Sequence, residues 1–194
     1  MSVLLIAGSP SAPSRSAALL EAVGERLVRR GIRVERLAVR ELPASALLTA
    51  QWEHPAIERA IAQIARAQAV VVATPIYKAA YSGVLKVFLD LLSQTALAGK
   101  AVLPLATGGS PHHMLAVDYA LRPVLQSMSA RHILPGVYAT DAQITLTPEG
   151  AYQVHADLAR RLDDAVDQLA FDGLKLPANQ AFESIAASDL RCSA

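Results

Sequence analysis

The sequence predicts an α/β fold, with one five-stranded parallel sheet between two layers of helices. Three observations carry that prediction. Short apolar runs alternate with segments of helical period along the chain. Val3-Leu4-Leu5-Ile6-Ala7 and Val70-Val71-Val72-Ala73 are apolar at every position, as strands covered on both faces are. Three polar loops, Gly8 to Ser16, Thr74 to Lys78 and Thr107 to Ser110, each directly follow an apolar run. If the runs are parallel, all three loops leave one edge of the sheet, where open α/β sheets bind their ligands.

Val3 to Ala7 is the first strand. The next segment sets Leu19, Leu20, Val23, Leu27 and Val28 on one helical face and stops at Gly31. Ile32 to Leu37 mixes apolar Ile32, Val34 and Leu37 with charged Arg33, Glu35 and Arg36, the pattern of an edge strand. Ile57, Ile61 and Ile64 mark a helix with Pro55 in its first turn. After the third strand, Val70 to Ala73, Ser82 suits the N-cap of a helix. Leu85, Phe88, Leu89 and Leu92 share one face of it, while Val84, Val87 and Leu91 share another. A helix so broadly apolar needs cover on both sides. A second subunit is expected to supply it; burial within the monomer is the alternative.

Ala101 to Ala106 and Ile133 to Ala139 read as the fourth and fifth strands. Pro104 cannot donate to the ladder, so a local bulge is expected there. Leu158, Leu162, Val166 and Leu169 make the last helix, and no period is visible from about Lys175 onward. The expected organisation is one domain over residues 1–174 and a tail over 175–194. Five strands so connected fit the flavodoxin-like order 2-1-3-4-5, whose first and third strands flank the switch point.

Composition narrows the function. A chain of 194 residues is one domain that buries roughly 70% of its unfolded surface. Its hydrophobic fraction, 53%, leaves apolar surface beyond one core and suggests an oligomer. The net charge is +1 and the basic residues are scattered, so neither nucleic acid nor an anionic membrane is an expected partner. Cys192 is the only cysteine, which excludes an internal disulfide. No apolar stretch approaches the ~20 residues of a membrane span, and the first run is too short for a signal peptide. A soluble cytoplasmic protein is expected.

In the first loop, Ser9, Ser11, Ser14 and Ser16 surround Arg15 just before a helix starts. Helix N-termini offer free N–H groups and partial positive charge, hydroxyls add neutral donors, and a guanidinium adds a forked cation. The loop has neither the Gly-Lys-Ser/Thr ending of a Walker A motif nor the glycine-rich dinucleotide fingerprint, which favours a monophosphate. An ordinary helix cap with a solvated arginine is the plainer alternative. In the second loop Pro75 stiffens the turn and Ile76, Tyr77 and Lys78 follow; in the third, Thr107-Gly108-Gly109 lets backbone approach a flat ring. A phosphorylated aromatic ligand such as flavin mononucleotide (FMN) meets both requirements. His112-His113 lacks a third metal ligand nearby, so no metal is expected, and His113 is assigned to the flavin or nicotinamide pocket. A receiver domain would need acidic residues after the first strand, and a serine hydrolase a Gly-x-Ser-x-Gly elbow; neither occurs.

Ala7-Gly8-Ser9-Pro10 with Ser14-Arg15-Ser16, and Ala73-Thr74-Pro75-Ile76-Tyr77-Lys78-Ala79-Ala80-Tyr81-Ser82-Gly83, resemble the NAD(P)H-dependent FMN reductases. Leu103-Pro104-Leu105-Ala106-Thr107-Gly108-Gly109, followed by Leu115-Ala116-Val117-Asp118-Tyr119-Ala120-Leu121, is similar to the SsuE type, the NADPH-dependent reductase of two-component alkanesulfonate monooxygenase systems. The resemblance spans about Val3 to Ile144. It implies a flavodoxin-like homotetramer, a dimer of dimers, that takes FMN as a substrate. NADPH gives it a hydride, and the reduced flavin passes to a partner flavin-dependent monooxygenase that releases sulfite from sulfonates.

By the same resemblance Ser9, Ser14, Arg15 and Ser16 hold the phosphate, while Pro75, Ile76, Tyr77, Lys78, Thr107, Gly108 and Gly109 contact the ring. Ser11 departs from the arginine frequent in relatives. Tyr119 corresponds to an inserted aromatic that forms a π-helical turn at the tetramer interface. Pro123 lacks an N–H and clashes with the carbonyl four residues back, that of Tyr119, so either a π-bulge or a plain kink follows. No side-chain acid or nucleophile is expected to be catalytic, because the cofactors carry the chemistry. The rival functions are a quinone or azo reductase that retains FMN, and a flavodoxin-type electron carrier, which the +1 balance disfavours.

Overall fold

The computed structural model describes residues 1–130, 132–148 and 150–175. Cys192 and all but the first residue of the expected tail lie outside the described residues.

In chain order the elements are β1 (Ser2–Ala7), α1 (Arg15–Arg29), β2 (Arg33–Ala38), α2 (Ala44–Leu48), α3 (Pro55–Arg66), β3 (Ala69–Tyr77), β4 (Ala80–Tyr81) and α4 (Gly83–Leu89). There follow β5 (Ala101–Gly108), a π-helical turn at Val117–Leu121, α5 (Arg122–Ser127), β6 (His132–Ile133), β7 (Val137–Thr140), β8 (Ile144–Leu146), β9 (Tyr152–Val154) and α6 (Ala156–Gln168). The main sheet runs β2-β1-β3-β5-β6, with β7 also beside β5. All its ladders are parallel except the short β3–β4 hairpin. This is the flavodoxin-like order expected, with β1 and β3 side by side at its centre.

The two-residue period of the strands divides their side chains between two cores. Val3, Leu5, Val71, Leu103 and Leu105 pack with Leu19, Val23 and Leu27 of α1 and Leu158, Leu162 and Val166 of α6. Leu4, Ile6, Val70, Val72 and Val102 pack on the other face with Ile57 and Ile64 of α3, Leu85 and Phe88 of α4, and Leu125 of α5. Of the β2 residues, only Leu37 is buried, as suits an edge strand.

Three expectations are corrected. Pro104 sits in a continuous β5, paired with Val72, and there is no bulge. The break is in the neighbouring strand: the Val102 carbonyl accepts from Leu134 N–H at 2.9 Å, so Pro104, two residues on, faces the same side. There the expected fifth strand divides into β6 and β7 around Pro135 and Gly136. The missing donor therefore meets a gap in the ladder. Leu91, assigned to an outward face, is only 4% exposed and belongs to its own subunit's core, because regular helix ends at Leu89. Val84 and Val87 are half-buried against that same core.

The stretch around Tyr119 is π-helical rather than kinked. Pro123 has no N–H for the Tyr119 carbonyl, so the ladder cannot pass regularly. Arg122 N–H instead reaches back five residues to the Val117 carbonyl.

Candidate flavin site

The C-terminal ends of β1, β3, β5 and β7 bring four loops to one rim of the sheet. The lining residues of the open cleft between them, of about 250 Å³, include Ser9, Ser14, Arg15, Pro75, Ile76, Tyr77, Thr107, Gly108 and Gly109. The three polar loops seen in the sequence therefore converge.

Backbone closeness sets the frame. Gly8 N–H donates to the Ala73 carbonyl at 2.8 Å. A Cβ on Gly8 would lie 2.9 Å from Leu85 Cβ and 3.1 Å from that carbonyl, so only glycine lets the first loop lie against β3 and α4. Ser82, buried at the α4 N-cap, accepts from Leu85 N–H at 3.1 Å, and its hydroxyl donates to the Gly8 carbonyl. Thr74 Oγ1 accepts from Ser82 N–H at 3.0 Å. One buried hydroxyl pair thus locks the first two loops together.

The third loop rests on Tyr138, whose hydroxyl donates to the Ser110 carbonyl at 2.6 Å. A Cβ on Gly108 would lie 2.5 Å from that hydroxyl oxygen, so any side chain here would press on the tyrosine that holds the loop. Burial, followed by the nearby Asp141 carboxylate, raises the Tyr138 pKa above the ordinary phenol value, which keeps the donor protonated.

At the anionic end, Ser14 caps α1, accepting from Ala17 N–H at 3.4 Å. Ala18 N–H bonds the Ser14 carbonyl at 3.0 Å, so at the start of α1 the amide of the cleft-lining Arg15 is left for a ligand. Ser9 is buried; its hydroxyl accepts from Ser11 N–H at 3.2 Å and donates to the Ser11 carbonyl at 3.3 Å, a bond it would exchange for one to a phosphate. The Arg15 guanidinium donates through Nε to the Ile144 carbonyl at 3.1 Å and pairs with Asp141 at 3.5 Å. These donors suit a monophosphate, and the glycines beyond them suit a flat ring.

Three assigned residues do not line the cleft. Ser16 is buried, its hydroxyl 3.0 Å from that of Ser14, so it supports the loop from beneath. Lys78 is exposed at a tight turn with φ of 51°, followed by Ala79 at 63°; Tyr77 pairs with Ala80 across it. His113 is half-buried in a short 3₁₀ turn at Pro111–His113, which Ser110 caps by accepting from His112 N–H at 3.3 Å. Among the described residues no group of three or more His, Cys, Asp or Glu is placed to hold a metal ion.

The cleft also takes in Pro13, Asp141 and Tyr152. Asp141 begins the 3₁₀ turn directly after β7, and Tyr152 lies on β9, paired with Leu146 of β8. The first was discoverable as a polar residue after a strand; the second comes from a separate hairpin with no local signature.

Fold and site together define a flavodoxin-like mononucleotide-binding protein. The model of the NADPH-dependent FMN reductase family matches residues 1–163. The chain belongs to that family, and it is an oxidoreductase that works with FMN and NADPH. It is 46% identical over 167 residues to an FMN reductase (NADPH) of Escherichia coli K12, covering 86% of this chain and 87% of that one. Against an FMN reductase (NADPH) of Pseudomonas putida KT2440 it is 46% identical over 169 residues, 86% of this chain and 85% of the relative. Among solved structures it is similar to an apo NADH:FMN oxidoreductase, with a TM-score of 0.80 and 41% identity over 92% of this chain and 93% of that chain.

Proposed function

We propose that this chain reduces FMN with NADPH and releases the reduced flavin to a partner flavin-dependent monooxygenase, of the alkanesulfonate type that serves sulfur acquisition. On this reading the enzyme is a cytoplasmic homotetramer, a dimer of dimers. The carrying observation is the openness of the cleft. Arg15, the one lining cation among the described residues, is 40% exposed, so a bound phosphate stays in contact with water. A ligand held that way exchanges.

Bound FMN supplies the hydride acceptor, and NADPH the hydride. The chain's part is orientation. Ser9, Ser14, Arg15 and the first amide of α1 fix the phosphate end. Pro75 to Tyr77 and Thr107 to Gly109 line the ring end, where Gly108 permits close approach of backbone. Backbone N–H groups of these two loops would lie beside the ring, where they would favour negative charge on a reduced flavin.

Steady-state oxidation of NADPH, with FMN varied over protein purified free of flavin, tests the proposal. A hyperbolic dependence on micromolar FMN, with reduced flavin accumulating anaerobically in solution, is expected. A protein that stays yellow through gel filtration and reduces quinones faster than added FMN would establish the flavin-retaining alternative. Coupling to a sulfonate monooxygenase, read as sulfite release, tests the partner.

A further inference from the structure

Asp141 is the unexpected member of the cleft. A carboxylate beside a phosphate site opposes the ligand's charge, yet this one is fixed there. Thr140 N–H donates to Gln143 Oε1 at 3.0 Å, and Gln143 Nε2 donates to Asp157 at 2.6 Å, which together hold the turn that carries Asp141. Asp141 Oδ2 lies 3.5 Å from Arg15 and would be 3.9 Å from a Cβ on Gly109. It therefore sits between the phosphate-binding guanidinium and the ring-binding glycines.

We propose that Asp141 competes with the flavin phosphate for Arg15, and so sets how readily flavin leaves. This rests on the proposed exchange of FMN at this cleft. When the cleft empties, the guanidinium regains a carboxylate partner instead of standing unpaired. The bond to the Ile144 carbonyl is made by Nε and the pair with Asp141 by Nη1, so exchanging the carboxylate for a phosphate need not break that anchor. Both partners are more than a third exposed, 40% for Arg15 and 47% for Asp141, so the competition is mild and adjusts affinity without abolishing binding.

The test is fluorescence titration of the flavin-free full chain with FMN and, separately, riboflavin. Asp141→Asn is expected to bind FMN about three- to tenfold more tightly, with slower release by the same factor. Riboflavin, which has no phosphate, should bind both proteins equally. In an Arg15→Ala background the gain from Asp141→Asn should shrink. Asp141→Ser, smaller and uncharged, should reproduce the tightening and guards against a misplaced amide. Unchanged or weaker FMN binding in Asp141→Asn and Asp141→Ser overturns the proposal, as does an equal gain for riboflavin or a full gain without Arg15. Failure of the underlying site looks different: wild-type protein would not distinguish FMN from riboflavin, and Arg15→Ala would change nothing.

Discussion

Arg15 and Gly108 do opposite jobs at the two ends of one ligand site. Arg15 supplies charge, and its loss should act on binding of the phosphate rather than on hydride transfer at the ring. Arg15→Ala is expected to raise the KM for FMN about tenfold or more, while kcat at saturating FMN stays within about twofold. An equal fall in kcat and kcat/KM would place Arg15 in the transition state instead. Gly108 supplies absence of bulk. Gly108→Ala forces a methyl to 2.5 Å from the Tyr138 hydroxyl oxygen, whereas the ring carbon bearing that hydroxyl is at 3.5 Å. Overpacking of this kind costs about 1–3 kcal/mol. Tyr138→Phe removes the clashing atom, so the double variant should recover part of the stability lost by Gly108→Ala. Denaturant midpoints of the two singles and the double measure that coupling, and strict additivity would contradict the contact.

The elements show which features a sequence reveals and which it hides. Ser82 was legible as an N-cap because a small hydroxyl residue directly precedes a broadly apolar run. Its second bond, to the Gly8 carbonyl, was hidden because it spans 74 residues of sequence. Strand order and the convergence of the loops followed from local pattern. The split of the fifth strand did not, since Pro135-Gly136 lies within an otherwise apolar run and the compensating Pro104 lies on the neighbouring strand. The lining role of Tyr152 was invisible because the β8–β9 hairpin reaches the cleft only through tertiary packing. Two predictions belong here. Ser82→Ala removes the α4 cap and the donor to the Gly8 carbonyl but keeps the backbone bond to Thr74 Oγ1, so about 2 kcal/mol of stability should go, read from denaturant unfolding. The Lys78-Ala79 turn holds two residues with side chains at positive φ, 51° and 63°, where glycine is at ease. Ala79→Gly should therefore stabilise the protein by about 0.5–1 kcal/mol, despite the greater freedom it gives the unfolded chain. A lower melting temperature would mean that the turn is held by contacts of the methyl group.

At the scale of the whole molecule, part of the apolar surplus in the composition gathers on one segment. Met114, Leu115 and Tyr119 are 56%, 59% and 57% exposed, all on the segment leading from β5 through the π-helical turn. That turn is anchored from behind. Arg122 bonds Asp118 at 3.0 Å and donates to the Ile133 and Leu134 carbonyls, while Val117 and Leu121 fill the interior. The widened turn thus keeps its inner side chains packed and presents Tyr119 to the outside without loosening the fold. In the tetramer proposed above, Tyr119 is the residue best placed to meet a second subunit. Tyr119→Ala deletes exposed surface only, so the isolated subunit should keep its melting temperature to within about 2 °C once the loss of assembly is allowed for. Sedimentation velocity should show the assembly shifting toward dimers, in a concentration-dependent manner, because a buried aromatic contributes a large share of interface energy. An unchanged sedimentation coefficient at micromolar protein would place the interface elsewhere, and the exposed segment would then have to be explained by contact with the monooxygenase instead.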